Sequence, residues 1–231
     1  MGVLDEMTPE RLDELDDGGA VAAAHPRHFR KVGYIRTDTG RRFFPLDPHP
    51  DDVNLHDIAQ SLVLRCRWTG QCSRFCSIAT HSIRVAKVAV WFAKQAGMVN
   101  TAVLELVALL HDAAEAYLAD VASPIKDLLP GWRPIEDRVQ AAIHIHFGLA
   151  ETYPELKKFV KAADHLVLWF ERNELFDTSE AIEHFFNDRT ELWPGYPAIP
   201  QNVMPPNVEV TRIEFERAVE AALAAVRAQG S

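Results

Sequence analysis

Residues 101–120, TAVLELVALLHDAAEAYLAD, decide how this chain is to be read. The first ten put apolar side chains on nearly every side of a helix capped by Thr101, the pattern of a segment surrounded by neighbours. The last ten then place an imidazole and three carboxylates, His111, Asp112, Glu115 and Asp120, on the tail of that helix, which is expected to reach about Leu118. Glu115 follows His111 by four residues and Asp112 by three, so it lies beside them on the helix surface. Burying this much charge is costly unless a cation compensates it. A metal site accounts for the cluster better than packing does.

Two further ligands must then come from other helices. Upstream, residues 77–96 form a strong amphipathic helix closed by Gly97, and His81 interrupts its apolar face of Ile78, Ile83, Val85, Ala86, Ala89, Val90 and Ala93. Downstream, Thr152-Tyr-Pro-Glu155 is a capping-box pattern that opens a long helix to about Phe176, and Asp164 interrupts its apolar run. Taken singly, such a His is more often a satisfied core residue and such an Asp a cap or ion-pair partner. Three hydrophobic helices interrupted in the order His81, His111-Asp112, Asp164 are rarely the product of chance. Two imidazole nitrogens with two carboxylate oxygens suit one divalent transition metal, Mn, Fe, Co, Ni or Zn, better than calcium, and they leave coordination positions for water and substrate.

The remaining segments extend the helical pattern. Over residues 33–44 two β-prone pieces flank Thr37-Asp38-Thr39-Gly40, which predicts a small hairpin. Residues 54–65 carry Leu55, Ile58, Ala59, Leu62 and Val63 on one helical side, and Pro134 opens a helix that stops at Gly148. A proline-rich connector with Pro194, Pro197, Pro200, Pro205 and Pro206 precedes a final helix, opened by Thr211-Arg-Ile-Glu214 and ending near Arg227. Residues 1–25 read as a loosely attached leader and 26–231 as one domain. The expected fold class is all-α, a helical bundle with a small N-terminal β-hairpin and a short C-terminal helix.

Composition narrows the function. The 231 residues are 48% hydrophobic and 25% charged, and 33 acidic against 24 basic side chains leave a net charge of −9. That balance disfavours binding along a nucleic-acid backbone, which needs a surplus of Lys and Arg, but permits a small anion in a local basic pocket. No stretch has the length and apolarity of a membrane span, and the N-terminus is acidic where a signal peptide is basic and then apolar. The expected location is the cytoplasm, with Cys66, Cys72 and Cys76 as free thiols. A zinc knot of Cys72, Cys76 and His81 is conceivable but lacks a fourth ligand at matching spacing. A homodimer is compatible with all of this.

The ordering His81, His111-Asp112, Asp164 resembles the signature of the HD-domain metal-dependent phosphohydrolases, and the likeness spans roughly residues 34–175. Arg67-Trp68, thirteen residues before His81, then Glu115, Asp120 and Ser123-Pro124-Ile125-Lys126, resemble the bacterial HD-domain 5'-deoxynucleotidases. The stretches TGRRFFPLDP and RFCSIATHS are similar to HD hydrolases of phage and bacterial genomes. The resemblance implies an HD-domain bundle in which His81, His111, Asp112 and Asp164 bind the metal, with Glu115 and Asp120 beside the attacking water and leaving group. It implies Arg67 and Lys126 as phosphate contacts and Trp68 against the sugar. Two positions depart from the pattern. Thr80 stands where many relatives have Glu or Gln, which removes or replaces a partner of His81, and Gln71 stands where many phage relatives have His.

The activity implied is 5'-nucleotidase hydrolysis of a (deoxy)nucleoside monophosphate to nucleoside and phosphate. The alternatives are a (deoxy)nucleoside triphosphate hydrolase and, from another class, a non-catalytic nucleotide-binding module. For Arg65 and Arg67 the plain reading is surface ion pairing, and for Trp68 core filling. His144 and His146, two apart on different helix sides, fall outside the site, and His165 and Glu171 read as structural.

Overall fold

A computed structural model describes residues 33–149, 153–176 and 207–229. The leader, the capping box at Thr152 and the proline-rich connector lie outside the described residues. Among the described residues the order is β1 (Ile35–Arg36), β2 (Arg42–Phe43), α1 (Leu55–Leu64), α2 (Ile78–Gln95), α3 (Ala102–Leu109), α4 (Ser123–Lys126), α5 (Trp132–His146), α6 (Tyr153–Leu175) and α7 (Val208–Gln229). Short 3₁₀ turns occupy Pro50–Asp52, Trp68–Gly70 and Ala113–Ala116. The architecture is all-α with one small hairpin, as the periodicity predicts.

Local chemistry sets the ends of the elements. Asn54 Oδ1 accepts from the Asp57 N–H at 3.2 Å to start α1, and Ser77 Oγ accepts from the Thr80 N–H at 3.1 Å to start α2. In the hairpin, Ile35 pairs with Phe43 and Arg36 with Arg42, and Gly40 takes the left-handed turn position at φ +79°. Phe43 points inward and stacks on Tyr117 with ring centroids 3.7 Å apart. The buried Asp57 carboxylate accepts from the Thr39 N–H and hydroxyl, both at 2.8 Å, and so ties the hairpin turn to α1.

The core forms where α2 packs on α3 and α6, while α7 covers α1 and α3. Ile58, Leu62, Val85, Leu106, Val167 and Phe215 are among its fully buried members. No helix among the described residues is long and apolar enough to cross a membrane.

Several helix ends differ from expectation, among them α5, which starts at Trp132, two residues before the Pro134 expected to open it. The helix expected to run to Leu118 ends at Leu109, and the chain continues as a turn into the 3₁₀ segment. Beyond Leu109 the helical ladder gives way: His111 Nδ1–H takes the Ala108 carbonyl, the Ala113 N–H turns to the Leu110 carbonyl at 3.1 Å, and the side-chain amide of Gln140, on α5, bonds to the Ala114 N–H and the Leu110 carbonyl, the pair a continued helix would join. At the start of α3, Thr101 supplies no side-chain cap, and Asn100 Oδ1 accepts from the Ala102 N–H at 3.3 Å instead. The last helix begins a turn earlier than Thr211, because Asn207 Oδ1 caps it by accepting from the Glu209 N–H at 2.8 Å. Thr211 sits buried inside the first turn, and the helix is longer than the short one expected.

The paired bonds to Asp57 yield a test of how firmly the hairpin is held. Asp57→Ala strands two donors and should cost about 2 kcal/mol of unfolding free energy. Urea denaturation measures that loss, and amide exchange at Thr39 should accelerate in the same variant.

Candidate metal centre

His81 enters the centre from α2 as the fourth residue of that helix, and its ring is fully buried. Its Nδ1 lies 3.1 Å from Glu171 Oε2 on α6. Burial alone would raise the Glu171 carboxyl, but His81, Arg67 and Arg84 around it hold it down at about 2. An ionised carboxylate only accepts, so the His81 Nδ1–H donates and the Nε2 lone pair faces the other way. There it meets Asp164 Oδ1 at 3.1 Å and Asp112 Oδ2 at 3.8 Å.

His111 is fixed by the same logic with a different partner. Its Nδ1–H donates to the Ala108 carbonyl at 2.8 Å, which leaves the Nε2 lone pair 3.1 Å from Asp112 Oδ2. Adjacent residues on a helix point about 100° apart, so His111 and Asp112 share a target only because α3 ends before them. One ligand atom each from His81, His111 and Asp112 lie within 4.8 Å of one another, and Asp164 joins the group through His81.

The Nε2 atoms of His81 and His111 are both buried without a hydrogen-bond partner, and they face the carboxylate oxygens of Asp164 and Asp112. Electrostatics carry the same message. Burial works against a charged His111, yet Asp112 and Asp164 push it up to about 9. Burial likewise would raise Asp112, but His111, His81 and Arg67 hold it well below the usual carboxylate range. The point between the ligands favours positive charge, and two imidazole nitrogens with carboxylate oxygens fit a divalent metal ion.

A buried ion cluster surrounds the ligands. Arg67 is 9% exposed, with Nε 3.0 Å from Glu171 Oε2 and Nη1 3.8 Å from Asp112 Oδ2. It is therefore no surface ion pair. Arg84 Nη1 adds a contact to Glu171 Oε1 at 3.4 Å. Thr80 is engaged in the start of α2, so Glu171, expected to be merely structural, is the residue that orients His81. Its signal was the seven-residue spacing from Asp164, two turns on one helix face.

On the other side of Asp112, Glu115 is buried and its Oε2 has no hydrogen-bond partner. Burial first, then Asp112 and Asp120, push its carboxyl up to about 9 against the pull of Lys126 and Arg67. Burial and Asp112 likewise raise Asp120 against Arg67 and Lys126. Lys126 Nζ lies 2.6 Å from Glu136 Oε1 and 3.6 Å from Glu115 Oε1, so Glu136 is a further charged neighbour that the sequence reading did not include. Trp68 follows Arg67 with φ +59°, Thr69 has φ +51° and Gly70 φ +75°, three consecutive left-handed residues. The indole is only half-buried and packs edge-on against Phe176, ring centroids 5.0 Å apart.

The zinc knot does not form. Cys72 Sγ lies 3.7 Å from Cys66 Sγ and 3.1 Å from the Arg74 carbonyl, whereas Cys76 Sγ is buried 3.9 Å from Glu171 Oε1. His144 bonds to Gln140, and the His146 Nδ1–H donates to the Pro50 carbonyl.

A family model described as HD domain matches residues 78–169, a span that holds His81, His111-Asp112 and Asp164. An uncharacterized protein of Rhodobacter capsulatus is 37% identical over 158 residues, 65% of this chain and 77% of the relative. The chain belongs to the HD-domain family. The uncharacterized protein YfdR of Escherichia coli strain K12 is 34% identical over 145 residues, 62% of this chain and 73% of that one. For this HD-domain protein the family supports a metal-dependent phosphohydrolase, and His81, His111 and Asp112 could form its metal site.

The position of Cys76 against Glu171 has a measurable effect. Burial and Glu171 push its thiol up to about 12 against Arg84 and Arg67, which leaves almost no thiolate near neutrality. Iodoacetamide at mildly alkaline pH should spare Cys76 in the folded protein and modify it after denaturation, as read by peptide mass spectrometry.

Proposed function

We propose that this HD-domain protein is a 5'-nucleotidase that releases inorganic phosphate from (deoxy)nucleoside monophosphates. The observation that carries the reading is Glu115: a buried carboxyl with one unpaired oxygen beside a cluster of metal-ligand type and two basic side chains, its pKa raised by burial, Asp112 and Asp120. A group in that state is a proton donor for a leaving alkoxide.

Proposed as ligands, His81, His111, Asp112 and Asp164 would hold one divalent transition metal, which supplies a Lewis acid for phosphoryl oxygens and a lowered pKa for water. The chain's own residues do the rest. Arg67 binds a phosphate oxygen while its Nε stays on Glu171, so the guanidinium arrives in a fixed orientation. Lys126, set between Glu136 and Glu115, adds a second positive charge near the phosphoryl group and keeps Glu115 in place. Water attacks phosphorus, the bond to the sugar 5'-oxygen breaks, and Glu115 gives its proton to that oxygen. Asp120 orients the water and accepts its proton. Trp68 lies against the sugar, where its bulk disfavours a ribose 2'-hydroxyl.

The reading is tested with a panel of nucleotides and added Mn, Co, Ni or Zn, scored by free phosphate. Release from monophosphates supports it. Pyrophosphate or triphosphate from a triphosphate substrate reassigns the chain as a triphosphohydrolase, and metal occupancy with no turnover reassigns it as a binding module.

Two variants on the same short segment divide ligand from proton carrier. Asp112→Asn should lose bound metal and turnover together. Glu115→Gln should keep near-normal metal by elemental analysis while turnover falls about 10²- to 10⁴-fold. Trp68→Ala should narrow the ratio of kcat/KM for deoxyribonucleotides over ribonucleotides, measured on matched monophosphates.

A further inference from the structure

Gln140 reaches from α5 into the break after α3, where it makes two hydrogen bonds, and it makes a third to His144 on its own helix. Its Oε1 accepts from the Ala114 N–H at 3.0 Å, and its Nε2 donates to the Leu110 carbonyl at 2.8 Å. Leu110 and Ala114 are the i and i+4 partners of an uninterrupted α-helix, so the amide bridges the rung that would span His111 and Asp112, while the Ala113 N–H makes the tighter bond to the Leu110 carbonyl at 3.1 Å. The remaining Nε2 hydrogen points to His144 Nε2 at 2.8 Å. Burial pushes His144 down to about 4, so its ring is neutral and accepts that hydrogen. The amide cannot be flipped, because reversal would set its NH₂ against the Ala114 N–H and its carbonyl against the Leu110 carbonyl.

We propose that Gln140 is a positioning residue for metal binding: by interposing its amide between Leu110 and Ala114, it holds the His111–Asp112 turn in the geometry that aims both ligands at one point. In a continuous helix those two side chains diverge, and the three-ligand group with His81 is lost. His144 acts behind Gln140 as the brace that fixes the amide's orientation. The hydrogen bonds of Gln140 run to the backbone of Leu110 and Ala114 and to His144, and the assignment rests on the metal-centre reading proposed above.

The test measures metal affinity, using Mn²⁺ or Co²⁺ alone with a competing chelator. Gln140→Met keeps the side-chain length and removes both hydrogen-bonding functions. Its dissociation constant for Mn²⁺ should rise about 10- to 100-fold, the usual effect of losing a residue that orients ligands. The Co²⁺ visible absorption bands should shift in the same variant, since ligand geometry sets them. Gln140→Glu keeps the acceptor for Ala114 but cannot donate to Leu110, and it gives the same reading should Gln140→Met fail to fold. Arg138→Met, exposed on the same helix, is the control and should bind as the unaltered chain does. Unchanged affinity and an unchanged Co²⁺ spectrum in a folded Gln140 variant overturn the proposal and leave the metal centre standing. If the unaltered chain binds neither ion, or Asp112→Asn binds as well as it does, the metal-centre reading itself fails and this proposal with it.

Discussion

Glu171 is a carboxylate with no solvent exposure, and the centre is arranged around its compensation. It accepts from Arg67 on the loop before α2, from His81 and Arg84 on α2, and it stands on α6. Removing any one donor leaves a charge uncompensated in an apolar interior, so the three elements are held in one relation. The same carboxylate thereby sets the tautomer of His81 and the direction of the Arg67 guanidinium. The candidate metal ligand His81 and the buried Arg67 thus share a single anchor.

The second determinant is a helix that stops. Apolar residues over α3 bury it from most sides, yet the chemistry begins where the helical ladder ends, at Leu110. A short 3₁₀ segment then returns Glu115 to the pocket and delivers Tyr117 to the stack on Phe43. The hairpin is for that reason part of the site's support, since Asp57 and Tyr117 connect it to α1 and to the segment following the ligands.

Opposite the ligands, the chain runs through three left-handed residues at Trp68, Thr69 and Gly70. Such backbone in a Trp and a Thr is costly and persists only where its surroundings enforce it. Arg67 on one side is locked to Glu171, and the β-bridge between Cys66 and Ser77 closes the loop on the other. The loop sets the half-buried Trp68, packed edge-on against Phe176, directly after the buried Arg67.

Most of the helical architecture was legible in the sequence, because apolar periodicity and a closing glycine such as Gly97 are local signals. The order His81, His111-Asp112, Asp164 was legible too, since each interrupts an apolar helix where a charge needs a reason. What only the tertiary structure decided depends on groups distant in the chain. Beyond the end of α3, Gln140, some thirty residues later, bonds to the Ala114 N–H and Leu110 carbonyl that a continued helix would join. Thr80 left His81 without an evident partner, and Glu171, ninety residues on, supplies one. Arg67 reads as a surface residue until Glu171 and Asp112 are folded around it. A one-dimensional pattern records which residues face inward, but the direction in which a buried polar group points is set by the partner that satisfies it, and that partner is chosen by packing.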